Sequence, residues 1–186
     1  MPYSIDQLIT RDIIEQTRKE LEVPVVQRTI QRVNEERGTA NKARIKRLDK
    51  QWRRERKLDD QPLITAIMAN PVSSFLTRIQ ANGLGLYSEI FIVDANGLNV
   101  GQSAVTTDFW QGDEAKFQKT YPKGADAVFV DEAEFHEESG TWRAQLNFTV
   151  RAEGKPIGAA TVEFNLTELA RRKAWREGSA TGGGSN

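Results

Sequence analysis

The sequence predicts an α+β domain: long helices first, then an antiparallel sheet of about five strands. Three observations carry this. Apolar residues recur at helical spacing through most of the first 82 residues. From Glu89 onward the pattern changes to strand-type runs rich in β-branched and aromatic residues, separated by turn signals. Helical and strand segments are segregated rather than interleaved, which excludes a parallel doubly wound sheet.

Taken in order, Ser4-Ile5-Asp6-Gln7 is a capping-box pattern that opens a first helix expected over residues 4 to 22. Pro24 breaks that run, and Val25, Val26, Ile30 and Val33 carry a second helix toward Gly38. From Asn41 to Lys57 the chain is basic, with nine Lys or Arg against Asp49 and Glu55. Ile45, Leu48 and Trp52 keep a narrow apolar stripe through it. Such a helix suits nucleic acid or an anionic membrane, or it is a solvated face packing its stripe on a partner helix. The solvated face is the preferred reading, because acids elsewhere balance the charge and Trp52 already belongs to the stripe. Asp60-Gln61-Pro62 starts another helix with Asp60 as cap, and Asn70-Pro71 interrupts it before Ser73 or Ser74 starts a short continuation through Phe75, Leu76 and Ile79 that closes at Asn82-Gly83.

Glu89 to Ser103 then reads as a hairpin turning at Asn96-Gly97, a dipeptide suited to the positive-φ turn of short hairpins. The following segment, Thr106 to Glu114, brings together Phe109, Trp110, Gln111, Asp108, Asp113 and Glu114, a mixture that suits a pocket wall as well as a capped helix start with core aromatics. Ala115 to Tyr121 is a short helix. Ala127 to Phe135 is a strand whose face parity switches near Asp131-Glu132, as at a bulge. Trp142 to Val150 puts Trp142, Ala144, Leu146, Phe148 and Val150 on one face and Arg143, Gln145, Asn147 and Thr149 on the other. That polar face is either solvated or a pocket. Pro156 to Phe164 is the last strand and Leu166 to Trp175 the last helix. The expected organisation is N-terminal helices over 1–40, a main domain over 41–175, and a flexible tail over 176–186, native or left from cloning.

Composition narrows the chemistry. The chain has 186 residues and zero formal net charge, so nothing global points to nucleic acid. There is no cysteine, which excludes disulfides, thiolate metal sites and cysteine nucleophiles. His136, the one histidine, is expected at the surface beside Glu137 and Glu138. No metal and no cofactor is assigned. No export-signal pattern precedes the first helix, so the protein is expected to be cytoplasmic, or exported by a signal that this sequence does not carry. A hydrolase with paired carboxylates such as Asp113 and Glu163 is the enzyme alternative. Nothing in the spacing fixes two acids at a working distance, so no catalytic residue is assigned and no enzyme is expected. A protein-interaction domain whose aromatics are all core is the other alternative.

Three passages, in this order and spacing, resemble the extracytoplasmic Cache (PAS-like, PDC) sensor domains of bacterial receptors. They are EIFIVDANGLNVGQS, TTDFWQGDEAKF and AQLNFTVRAEGKPIGAATVEFNL. The resemblance covers roughly residues 45 to 170. It implies a single-module, periplasmic, ligand-sensing domain with a PAS-like sheet, a small polar metabolite as ligand, and a membrane receptor or kinase as partner. Apart from the resemblance, the N-terminal helices, polar with narrow apolar stripes, are the expected homodimer contact, and no nucleic-acid partner is expected. Carried over residue by residue, the resemblance places Phe109, Trp110, Gln111 and Asp113 on a pocket lid, with Tyr121 at one side. Arg143, Gln145 and Asn147 then come from the strand, and Glu163 stands at the acidic position that holds an ammonium in amine-binding relatives. The second passage lacks the Arg-x-x-Trp-Tyr arrangement that clamps an amino-acid carboxylate, so the implied ligand is not tied to amino acids.

Overall fold

The computed structural model describes residues 2–181. Six helices come first: α1 (Ile5–Leu8), α2 (Arg11–Leu21), α3 (Pro24–Arg37), α4 (Lys42–Glu55), α5 (Pro62–Met68) and α6 (Pro71–Asn82). Most of their starts follow from capping. Thr10, Asn41 and Asn70 each accept a backbone N–H of the first turn, and α3, α5 and α6 begin with proline. The single helix expected over residues 4 to 22 is instead two. Ile9 leaves the helical conformation, and Thr10 starts α2 by accepting from the Ile13 amide at 3.4 Å.

The strands are β1 (Tyr87–Val93), β2 (Asn99–Gln102), β3 (Val128–Val130), β4 (Glu134–His136), β5 (Thr141–Ala152) and β6 (Lys155–Asn165). Between β2 and β3 lie α7 (Ala115–Gln118) and a 3-10 turn at Tyr121–Lys123. The pairings are all antiparallel and the order is β2-β1-β6-β5-β3, with β4 also on β5. Helices ahead of an antiparallel sheet of this order give the expected PAS-like α+β class. The one strand expected over Ala127 to Phe135 is broken at Asp131–Ala133, and each half pairs with its own stretch of β5. The last helix, α8 (Leu166–Thr181), runs past the Trp175 end that was expected. Ser179 helps by donating its hydroxyl to the Trp175 carbonyl at 2.8 Å. Of the expected tail, residues 182–186 lie outside the described residues.

The main core lies between the helices and one face of the sheet. Leu8, Leu21, Val26, Ile30, Val72 and Leu76 meet Ile90, Ile92, Leu146, Phe148, Val162 and Phe164 there. The apolar face read for β5 is the face that enters this core. Helix α6 presses so closely on β2 that a Cβ on Gly101 would sit 2.5 Å from Val72 Cγ1.

A second cluster forms outside the β1–β2 hairpin. Trp52 of α4 stacks on Phe109 with ring centroids 5.1 Å apart and donates its indole N–H to the Thr106 carbonyl at 2.9 Å. The hairpin turn is tied to the same side. Buried Asp94 accepts from the amides of Asn96 and Leu98 and pairs with Arg37 at 2.8 Å. Gly97 has φ +74 and meets the Gly112 backbone, so a side chain fits neither its conformation nor its space.

Candidate functional site

The far face of the sheet, away from the helical core, is not solvated. Asn147, Thr149 and Thr161 are buried on it, and the Thr161 hydroxyl donates to Asn147 Oδ1 at 2.8 Å. Its apolar end is Phe91, Val93 and Ala159 under Phe117, with Tyr121 packed against them. Tyr121 stacks on Phe117 at 5.4 Å. Burial, and then the Asp94 charge, raises the Tyr121 phenol above its ordinary value. The segment from α7 through the 3-10 turn thus roofs one end of this face.

The other end is a cleft of about 340 Å³, lined from α7 by Glu114 and Lys116, from the β3–β4 stretch by Asp131, Glu134 and His136, and from β5 and β6 by Arg143, Gln145 and Glu163. Its floor is set by strand register. Glu89 of β1 lies opposite Glu163 of β6, and Glu163 lies opposite Gln145 of β5. Directly opposed residues share a face with their side chains in reach of one another, and like charges there are destabilising. Arg143 answers one acid, pairing with Glu163 at 3.2 Å while donating to Ser139 Oγ at 3.0 Å. Lys116 is drawn to Glu114 at 2.9 Å and lies 5.4 Å from the Phe91 ring centroid. Glu89 is left as the poorly answered charge. Burial, then the facing Glu163, pushes its carboxyl up to about 7, against the pull of Lys116 and Arg143.

The residues expected in a site are divided between two places. Arg143, Gln145 and Glu163 line the cleft, and Tyr121 packs on the same face at its apolar end. The other four lie on the α4 side of the hairpin. Phe109 is buried against Trp52. Trp110 packs in the same cluster and donates its indole N–H to the Asn96 carbonyl at 2.9 Å. Gln111 is buried and donates to the Asp108 carbonyl. Asp113 is exposed, and its charge contributes to raising the Arg53 pKa, after the larger effects of Asp49 and Asp108. Asp49 explains this placement, since it accepts the amides of both Phe109 and Trp110 and holds the segment to α4.

Sequence reasoning missed Lys116 as a lining residue and Glu89 as the neighbour of Glu163 across the strand pair. Glu89 had a usable signal. It shares strand parity with Phe91 and Val93, the face opposite Ile90 and Ile92. His136 hydrogen-bonds through Nδ1 to Ser139 at 2.9 Å and lines the cleft mouth. No group of three or more acidic or histidine side chains placed to hold a metal ion occurs among the described residues.

A helix-backed antiparallel sheet whose second face is roofed and carries a charged cleft is a PAS-like module with the geometry to hold a small polar molecule. No family model and no curated protein matches the chain. Solved structures do. The ligand-binding domain of the Campylobacter jejuni chemoreceptor Tlp3 in complex with 4-methylisoleucine is 16% identical with a TM-score of 0.41, over 89% of this chain and 65% of that one. The ligand-binding domain of the Pseudomonas aeruginosa PAO1 amino acid chemoreceptor PctC in complex with GABA is 18% identical with a TM-score of 0.43, over 66% and 52%. An extracellular ligand binding receptor from Desulfohalobium retbaense is 18% identical with a TM-score of 0.40, over 80% and 26%. The chain therefore spans less than two thirds of the length of these three structures.

Proposed function

We propose that the chain is an extracytoplasmic sensing module that binds a small, amine-bearing polar metabolite in the cleft lined by Glu163, which lies opposite Glu89. It signals by a change of conformation or of dimer contacts and is not a catalyst. The observation that carries this reading is the pair of carboxylates set side by side across β1 and β6, with one arginine, which pairs with Glu163 alone. A ligand ammonium seated there removes the like-charge repulsion that the empty register imposes. Arg143 and Lys116 provide donors for an acceptor group elsewhere on the ligand. The resemblance of the three sequence passages to Cache domains supports the same reading.

Residues 41–175 form the ligand module in this proposal, and residues 1–40 connect it to a partner. Their apolar stripes are buried in the core, so a homodimer would use the outward polar faces of α2 and α3. The partner is a membrane receptor or kinase. No helix among the described residues is long and apolar enough to cross a membrane itself. Ligand binding transmits a signal only if it favours one of two states, which ties any response to a difference in affinity between them.

A thermal-shift screen tests the proposal, using protein unfolded and refolded to strip carried ligand and a panel of amines, carboxylates, amino acids and purines. A ligand at a hundredfold its Kd adds about 2.7 kcal/mol, which raises the midpoint by roughly 5–10 °C for a domain of this size. The expected hit carries an amine and is lost in Glu163→Gln. A flat screen, or a hit that survives both Glu89→Gln and Glu163→Gln, overturns the assignment.

A further inference from the structure

The outward face of α4 is the largest charged feature that the cleft leaves unexplained. At 100° per residue, its residues from Lys42 round to Arg47 cover an arc of roughly 140°. Within that arc Ala43 is the only residue of the helix that is neither Lys nor Arg. Lys42, Lys46, Arg47, Lys50, Arg53 and Arg54 are all exposed. Arg53 pairs with Asp49 and Asp108, whereas the other five have no ion-pair partner among the described residues. Lys42, Lys46, Lys50 and Arg54 follow one another at i, i+4 spacing, where like charges destabilise an isolated helix. The helix is held in place by its buried side, through Trp52 and the Asn41 cap. Apart from Arg53, the basic arc makes no ion pair that supports the fold among the described residues, and its like charges work against the helix.

Asp49, Asp108 and Asp113 lie beside Arg53 at one part of the arc, but most of the acids that bring the chain to zero net charge lie elsewhere. A run of them, Asp131, Glu132, Glu134, Glu137 and Glu138, stands on the β3–β4 edge of the sheet. Helix α5, which packs on α4, sits beside β2 at the opposite edge. The charge is thus separated across the molecule, with one edge basic.

We propose that this face docks on an anionic phospholipid surface. The charges are spread over about 20 Å of convex helix, which suits a plane of headgroups. At the C-terminal end of α4, two exposed aliphatic side chains accompany them. Leu58 lies three residues beyond the helix end, and Val105 is on the loop tied to Trp52 of α4 and to Arg56 just past it through the Thr106 and Thr107 carbonyls. Basic residues flanked by exposed aliphatics match a charged interface with an apolar layer beneath it. No aromatic or free amide stands in the arc to stack on or read a base, which disfavours nucleic acid. The surface stands apart from the cleft, so either can fail without the other.

The test is co-sedimentation of the described chain with vesicles of phosphatidylcholine alone, or with about a third phosphatidylglycerol. Binding is expected only to the anionic vesicles, and it should be abolished by roughly 0.5 M salt, which shortens the screening length to a few ångströms. Lys46→Glu/Lys50→Glu/Arg54→Glu should weaken it by about a hundredfold or more, without lowering the melting midpoint, because all three side chains are exposed and none is in an ion pair among the described residues. The milder Lys46→Gln/Lys50→Gln should weaken it by about tenfold or more. No binding to anionic vesicles, equal binding to neutral ones, or undiminished binding by the variants overturns the proposal. So does retention on a soluble polyanion without vesicle binding, which would mark the face as a site for an acidic macromolecule.

Discussion

Glu89→Gln should make the protein more stable at neutral and alkaline pH and leave it unchanged in mild acid. Glu89 has an ordinary carboxyl value of 4.5 when unfolded and about 7 when folded, because it is buried opposite Glu163. Between those two values the folded state holds the proton that the unfolded state has released. Stability therefore falls as pH rises through this window and stays low above it. A shift of this size corresponds to about 3 kcal/mol. Some remaining solvent contact at Glu89 trims it toward about 2 kcal/mol. Glutamine keeps the shape and removes the charge. At pH 4, below both values, wild type and variant should melt together. At pH 8.5 the variant should melt roughly 4–12 °C higher, at 2–4 °C per kcal/mol. Thermal melts by circular dichroism at the two pH values measure this, and other titrating groups cancel in the comparison. Parallel curves, with the same difference at both pH values, would refute the idea that Glu89 is strained by its register opposite Glu163.

Three further outcomes follow from the same geometry. Glu163→Gln should bring the Glu89 carboxyl back toward the ordinary range, since the facing charge is the second cause of its rise; a carbonyl-carbon NMR titration of Glu89 reads this directly. Trp52→Ala should cost about 3–5 kcal/mol in urea denaturation, because it removes a fully buried indole, its stack on Phe109 and its bond to Thr106. Arg37→Ala should cost roughly 3 kcal/mol, as it leaves the buried Asp94 carboxylate without its cation. A loss below about 1 kcal/mol in the last case would mean that the Asn96 and Leu98 amides suffice for that charge.

What was legible in the sequence was local. The helix start at Pro62 depends on residues within one turn of it, whereas the start expected at Ser73 or Ser74 falls instead at Pro71, because Asn70 caps it by accepting the Ser73 amide. The Asn96-Gly97 turn and the period-two apolar face of β5 are equally short-range, and both stand in the structure. Part of the cleft was legible too, because Arg143 and Gln145 could be placed on one strand face by parity and Glu163 by the resemblance. Parity does not say which face is covered, nor which strand lies alongside. Only the tertiary structure decided that the polar face of β5 would be roofed by α7 and the 3-10 turn, burying Asn147 and Thr149. Only the tertiary structure set Glu89 against Glu163, since β1 joins β6 across the whole length of the intervening chain. Neither strand's own pattern encodes that register, which comes from packing both strands against the same helices. The fate of the Phe109–Trp110 segment was decided the same way. Its mixture of aromatics and acids suits a lid or a core equally, and the Asp49 carboxylate on a distant helix is what draws it to the core.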